Sequence, residues 1–212
     1  MQLNIQTLNG HWTEGFTLDL HTVSSKKLFK DVITKEIIDG KEKEIIRQVE
    51  AGWDTKYTDI GEHLNKLKYW GERNHVQIIA REAANFINAK AQWQIHKIIP
   101  MPPSDATRYF QPVYELAKAI GIICNLEVDF ITLKKLKSTS QLKDIESPEQ
   151  RKEILKDAFD IQQNVLTGKN VLLFDDLYRS GETLNAASDM IKNKGNAANI
   201  YVLTITKTRS KK

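Results

Sequence analysis

Four apolar residues in succession, Val171-Leu172-Leu173-Phe174, run directly into two carboxylates, Asp175 and Asp176. A half-exposed strand alternates apolar and polar side chains, whereas an uninterrupted apolar run needs cover on both faces. That requirement selects an interior strand of a mainly parallel sheet with helices above and below it. After the acids comes a short polar stretch, Leu177-Tyr178-Arg179-Ser180-Gly181-Glu182-Thr183. Helical spacing then returns with Leu184, Ala187 and Ile191, and Gly195 supplies a stop. The order is strand, acids, loop, helix.

The rest of the chain fits the same class. Phe16, Leu18 and Leu20 alternate with polar residues, and Asp39-Gly40 is a hairpin signal between two strand-like runs. The first 55 residues therefore read as a β-rich extension. From Asp59 the period becomes helical. Ile60, Leu64 and Leu67 share one face up to Gly71, and Val76, Ile79, Ala80, Ala83, Phe86 and Ile87 share the next. His96–Pro100 is a short strand, Pro112 opens a helix that Gly121 is expected to end, and 124–133 reads as strand. Ser147, Pro148 and Gln150 form a capping box before another helix, and 199–206 is the last strand. Strand and helix alternate from residue 59 onward, which predicts an α/β core over 56–212 with a basic C-terminal tail. Ligands of such sheets bind beyond the carboxyl ends of the strands. That rule selects the loops 101–108, 134–143 and 175–183.

Composition excludes several classes. No apolar run approaches the roughly 20 residues that cross a bilayer, so no membrane association is expected. The opening MQLNIQTLNG has no basic, apolar leader pattern, and the reading places the chain in the cytoplasm. Cys124 is the single cysteine and reads as a small apolar residue, and the five His match no zinc spacing. A net charge of +4 and a pI near 9.0 suit a phosphorylated ligand and, weakly, nucleic acid.

The stretch after the apolar run has its own chemistry. A helix start exposes unpaired N–H groups and a partial positive charge, and glycine lets a phosphate approach the backbone. Two carboxylates beside such a cradle would repel a bare polyphosphate. They suit a ribose whose hydroxyls they accept, or Mg²⁺. The combination points to a sugar 5'-phosphate, with phosphate at Ser180–Thr183 and ribose at Asp175 and Asp176.

"VLLFDDLYRSGETL" resembles the phosphoribosyl-pyrophosphate (PRPP) motif of type I phosphoribosyltransferases. The blocks "IGEHLNKLKYWGER", "IIPMPPS", "RYFQPVYELAKAIG", "LKKLKSTSQLK" and "EQRKEILKDAF" are similar, in order, to the ComF-like branch, so the resemblance covers about 56–206. It implies a type I phosphoribosyltransferase-like fold, PRPP or ribose 5'-phosphate as ligand, and Mg²⁺ carried by that ligand with Asp175 and Asp176 as its protein contacts. It implies that Leu177 to Thr183 bind the 5'-phosphate, that Pro102, Pro103 and Ser104 contact pyrophosphate, and that Lys134–Ser140 form a mobile loop. Asp175, Asp176, Arg108 and Lys135 are then the catalytic set. For Lys134, Lys135 and Lys137, a pyrophosphate clamp and an ordinary solvated loop both remain open. Tyr109, Phe110 and Tyr114 read as packing residues.

The chain also departs from the pattern. Arg179 replaces the usual first threonine of the loop, and Glu182 places a carboxylate in it. Residues 1–55 lack the cysteine zinc module and stand where a hood for the acceptor would be. Two functions follow: transfer of phosphoribosyl to an acceptor, or a non-catalytic PRPP- or nucleotide-binding module of a DNA-uptake or defence assembly. A second copy of the chain or an assembly protein is an expected partner. Asp176→Asn is expected to weaken PRPP binding without changing Tm.

Overall fold

A computed structural model describes residues 1–103, 105, 107–136, 147, 155 and 157–209. The strands are β1 (Gln6–Thr7), β2 (Glu14–Leu20), β3 (Thr22–Ile38), β4 (Lys41–Tyr57), β5 (Lys97–Pro100), β6 (Glu127–Val128), β7 (Lys134–Lys135), β8 (Phe159–Asp160), β9 (Asn170–Tyr178) and β10 (Asn199–Lys207). The helices are α1 (Asp59–Asn65), continued by a π-helical turn Lys66–Trp70, then α2 (His75–Asn88), α3 (Pro112–Cys124) and α4 (Glu182–Asn193).

Six strands form the central sheet in the order β1-β2-β10-β9-β5-β6. All neighbours run parallel except β1 and β2. β9 lies inside it, and Val171, Leu172, Leu173 and Phe174 are fully buried, as their unbroken apolar run demands. Their side chains alternate between two cores. Leu172 and Phe174 pack with Ile60, Ile79 and Leu116 under α1, α2 and α3. Val171 and Leu173 pack with Leu184, Ala187 and Ile191 of α4 on the other face. The molecule is thus a mixed α/β structure with helices on both faces of a mostly parallel sheet. Among the described residues, no helix is long and apolar enough to cross a membrane.

Several local expectations are revised. The β-rich stretch before residue 55 is not one separate unit. β2 pairs with β10 inside the central sheet, and only the β3–β4 hairpin forms a sheet of its own. The Asp39-Gly40 turn takes positive φ at both residues (56° and 72°), the geometry that closes a two-residue hairpin. Gly121 does not end α3. The helix runs to Cys124 and stops at left-handed Asn125. Gly121 is instead a close-approach residue, because a Cβ there would meet Val128 Cγ2 at 2.4 Å and the Leu126 carbonyl at 2.9 Å. Of 124–133, only Glu127–Val128 pairs as strand. Lys207 is not a frayed tail residue but the last residue of β10. Ser104, Lys137, the rest of the 137–146 loop and Pro148 and Gln150 of the capping box lie outside the described residues.

Candidate functional site at the carboxyl end of β9

The two acids do not lie beyond the strand. β9 pairs with β5 only as far as Phe174, where Met101 N–H donates to the Phe174 carbonyl at 2.8 Å. On its other side it stays paired with β10 to Tyr178. Asp175 and Asp176 are therefore still in extended backbone, and strand alternation sends them to opposite faces. Asp175 continues the row of Val171 and Leu173 on the α4 side, and Asp176 continues the row of Leu172 and Phe174 on the α1 side.

Each acid meets a different lysine. Asp176, buried, takes an ion pair from Lys68 of the π-helical turn at 2.7 Å. Burial alone would lower the Lys68 ammonium, but attraction to Asp176 and the hydrogen bond to it outweigh burial, and its pKa rises. Asp175 accepts the Asp176 N–H at 2.8 Å. Burial first, and the Asp176 charge second, push its carboxyl up to about 7. The neighbouring cations Lys68 and Lys135 pull it back only in part. Lys135 of β7 is half-buried beside it. Burial pushes its ammonium below the usual lysine value against the pull of Asp175. A carboxyl held at about 7 can exchange its proton near neutral pH.

The loop beyond β9 is short. Gly181 has φ of 81° and precedes the first residue of α4, and a Cβ there would meet the Tyr178 hydroxyl at 2.5 Å. Only glycine combines that left-handed backbone with the close ring. Ser180 Oγ donates to Glu182 Oε2 at 3.0 Å, so the Glu182 carboxylate is turned to the loop rather than away from it. Arg179 and Ser180 are exposed, while Leu177, Tyr178 and Thr183 are half-buried.

The expected residues are only partly brought together. Lys135 comes near Asp175, Asp176 faces the other side of the sheet with Lys68, and Pro102 and Pro103 follow β5 where its pairing with β9 ends. Arg108 does not join them. Its guanidinium lies on the surface 3.6 Å from Asp105, and no described contact links it to either acid. Tyr109 is not a packing residue, being 94% exposed, with Arg73 over its ring. Phe110 does pack against the α1–α3 core, and Tyr114 meets Phe130 edge-on.

Two residues went unnoticed in the sequence. Lys68 follows the core residue Leu67, and the aromatics after it, Tyr69 and Trp70, are exposed, which marks a helix leaving its regular period. His21 follows the end of β2. Its Nδ1 lies 3.1 Å from Thr206 Oγ1, and burial, then Lys68, lower its pKa. The carboxyl-end rule would have found it had β2 been assigned to the parallel sheet.

Among the described residues, no group of three or more His, Cys, Asp or Glu gathers as a metal centre. A cavity of 640 Å³ near Ile122 and Leu126, and one of 320 Å³ around Trp12, are lined by other residues than the acid pair. No protein-family model matches the chain, and no curated protein matches it either.

Proposed function

We propose that the chain binds PRPP through the end of β9 and the 179–183 loop and acts as a phosphoribosyltransferase of the type I kind. The observation that carries this reading is the junction itself: two adjacent carboxyls, an anion-compatible helix start and a left-handed glycine, all at the carboxyl end of an interior parallel strand. The 5'-phosphate meets the N–H groups of Ser180 to Thr183. Asp175 and Asp176 accept the ribose hydroxyls, and Lys135 supports the leaving pyrophosphate.

The donor set is compatible with Mg²⁺ brought by the ligand. Mg²⁺ needs few protein carboxylates when phosphates supply the rest, and with Asp176 engaged by Lys68 the available one is Asp175. Held there, Mg²⁺ would supply charge neutralisation for the pyrophosphate. The chain's own work is positioning. It holds the anomeric carbon between departing pyrophosphate and an acceptor and screens it from water.

A second reading, a PRPP- or nucleotide-binding regulatory module, is supported by the Ser180–Glu182 contact, which keeps a carboxylate at the phosphate cradle. Pyrophosphate release from PRPP and Mg²⁺ with a panel of nucleobases separates the two. Base-dependent release supports the transferase. Tight PRPP binding without release for any base supports the module.

A further inference from the structure

The β3–β4 hairpin takes no part in the site. Each strand has 17 residues, so at about 3.3 Å per residue the ribbon is roughly 56 Å long. Outside its base, where Tyr57 meets His21 edge-on and Arg209 donates to the Val23 carbonyl, its strands pair chiefly with each other. An isolated two-stranded ribbon is marginal in water, and stability needs further strands or a packed face.

One of its faces is built for packing. Phe29, Ile33 and Ile37 recur every fourth residue and so share a face, and the register sets Ile33 directly opposite Ile46. Trp53, opposite Lys27, belongs to the same face. These residues are 58%, 62%, 79%, 68% and 57% exposed in the order Phe29, Ile33, Ile37, Ile46, Trp53. The other face carries apolar residues as well, Leu28, Val32, Ile45 and Val49, among Thr34 and Glu36, and is the less exposed one. The largest and most exposed apolar side chains thus share the side with less cover.

We propose that this face is a self-association arm and that its occupant is the same face of a second copy. Two observations choose that occupant. The charges are balanced: Thr22 to Tyr57 carry eight Lys or Arg and seven Asp or Glu, so the arm offers neither nucleic acid nor an acidic partner a single-sign field. They are also segregated on the apolar face. The β3 edge has Lys27 and Lys35, with Asp31 the exception, and the β4 edge has Glu42, Glu44 and Glu50. Within one ribbon Lys27 pairs with Glu50 at 2.9 Å and Lys35 with Glu42 at 2.7 Å, exposed pairs that a second copy can extend into a network. A two-fold axis along the ribbon lays β3 of one copy over β4 of the other. Lysines then face glutamates, and Ile33 crosses Ile46, giving a self-complementary interface. The area suffices as well. A ribbon of this length and about 10 Å width has a plan area near 600 Å², and side-chain relief raises the accessible area toward the ~800 Å² per partner of a standard interface. This inference is independent of PRPP binding.

Analytical ultracentrifugation of the full chain at micromolar concentrations tests it. Wild type is expected to be a dimer. Ile33→Glu and Ile46→Glu should each raise the dimer Kd by at least about ten-fold, as two charges meet in an apolar contact. Val32→Glu, on the opposite face, should leave it intact, which separates face-specific loss from general damage to the hairpin. Lys35→Glu and Glu44→Lys should each weaken the homodimer, and mixing the two variant chains should restore association, because the swap then pairs only between copies. A monomeric wild type, or a dimer indifferent to both isoleucine variants, overturns the proposal.

Discussion

β9 and β10 bury most of their side chains and leave none fully exposed, whereas β3 and β4, almost twice as long, leave theirs largely in solvent. The difference lies in both content and order: apolar residues fill 11 of the 18 positions of parallel β9 and β10 but only 13 of the 34 of antiparallel β3 and β4, and they are spaced differently. β9 has its apolar residues consecutively and must be covered on both faces. β3 spaces Phe29, Ile33 and Ile37 four apart with charges between, which concentrates them on one face and leaves solvent access to the rest. The first arrangement makes a rigid floor on which carboxyls can be held at an unfavourable pKa. The second makes an adaptable surface with little energy of its own.

Substitution should expose that contrast most strongly. Leu173→Ala removes a fully buried side chain between α4 and the sheet and is expected to cost about 2–5 kcal/mol. Ile33→Ala, measured by urea unfolding at a concentration low enough to keep the chain monomeric, should stay within about 0.5 kcal/mol. Equal losses at the two sites would erase the distinction.

Asp176→Asn comes next. On sequence alone it should spare Tm, because the acid looked like a ligand contact beyond the strand. The Lys68 pair reverses that expectation: the variant strands a largely buried ammonium and should cost about 1–3 kcal/mol. Adding Lys68→Met should return part of it in thermal unfolding. Additive losses in the double variant would deny the coupling.

These residues show where sequence reading succeeds and where it stops. The interior strand was legible because burial on both faces leaves a one-dimensional mark, Val171 to Phe174. The loop was legible because left-handed backbone demands Gly181. The end of β9 was not, since backbone pairing with β10 continues regardless of whether the side chains are acids. Lys68 was hidden for a related reason: its role depends on which helix face packs over Asp176, a tertiary fact. Arg108 was misplaced because nearness to a strand terminus in sequence says nothing about which way a loop turns.

The pH dependence should differ by region. Asp175 has a folded-state pKa raised from 3.8 to about 7, so the folded chain binds an extra proton between those values. Its contribution to stability is complete below about pH 4 and is lost as pH rises through about 7. Asp175→Asn should thus unfold at higher Tm than wild type at pH 8 and at nearly equal Tm at pH 4. A variant less stable than wild type at pH 8 would contradict the buried-acid account.

A smaller effect of opposite sign belongs to His63 and His75, whose Nδ1 atoms lie 2.6 Å apart and which clasp the two ends of the turn carrying Lys68. Glu72 sits 3.0 Å from His75 Nε2, and Glu62, Asp59 and Lys66 are the other charges acting on His63. One proton fits between the two nitrogens and two do not. Burial, then the His75 charge, lowers the His63 pKa, so the clasp's stabilisation is present above about 6.5 and is lost as pH falls below it. His63→Gln should flatten the Tm profile between pH 7 and 5, and an unchanged slope would remove the clasp from the account.

The proposed ribose 5'-phosphate site lies on the rigid floor of the sheet and not on the exposed ribbon. Calorimetric titration of wild type with PRPP and Mg²⁺, repeated with ribose 5'-phosphate, tests it directly. Saturable binding at millimolar concentration or below is expected. Gly181→Val, whose side chain meets the Tyr178 ring, should abolish it, and Ile33→Glu should leave it unchanged. Absence of binding by wild type to both ligands, or binding unaffected by Gly181→Val, would contradict it.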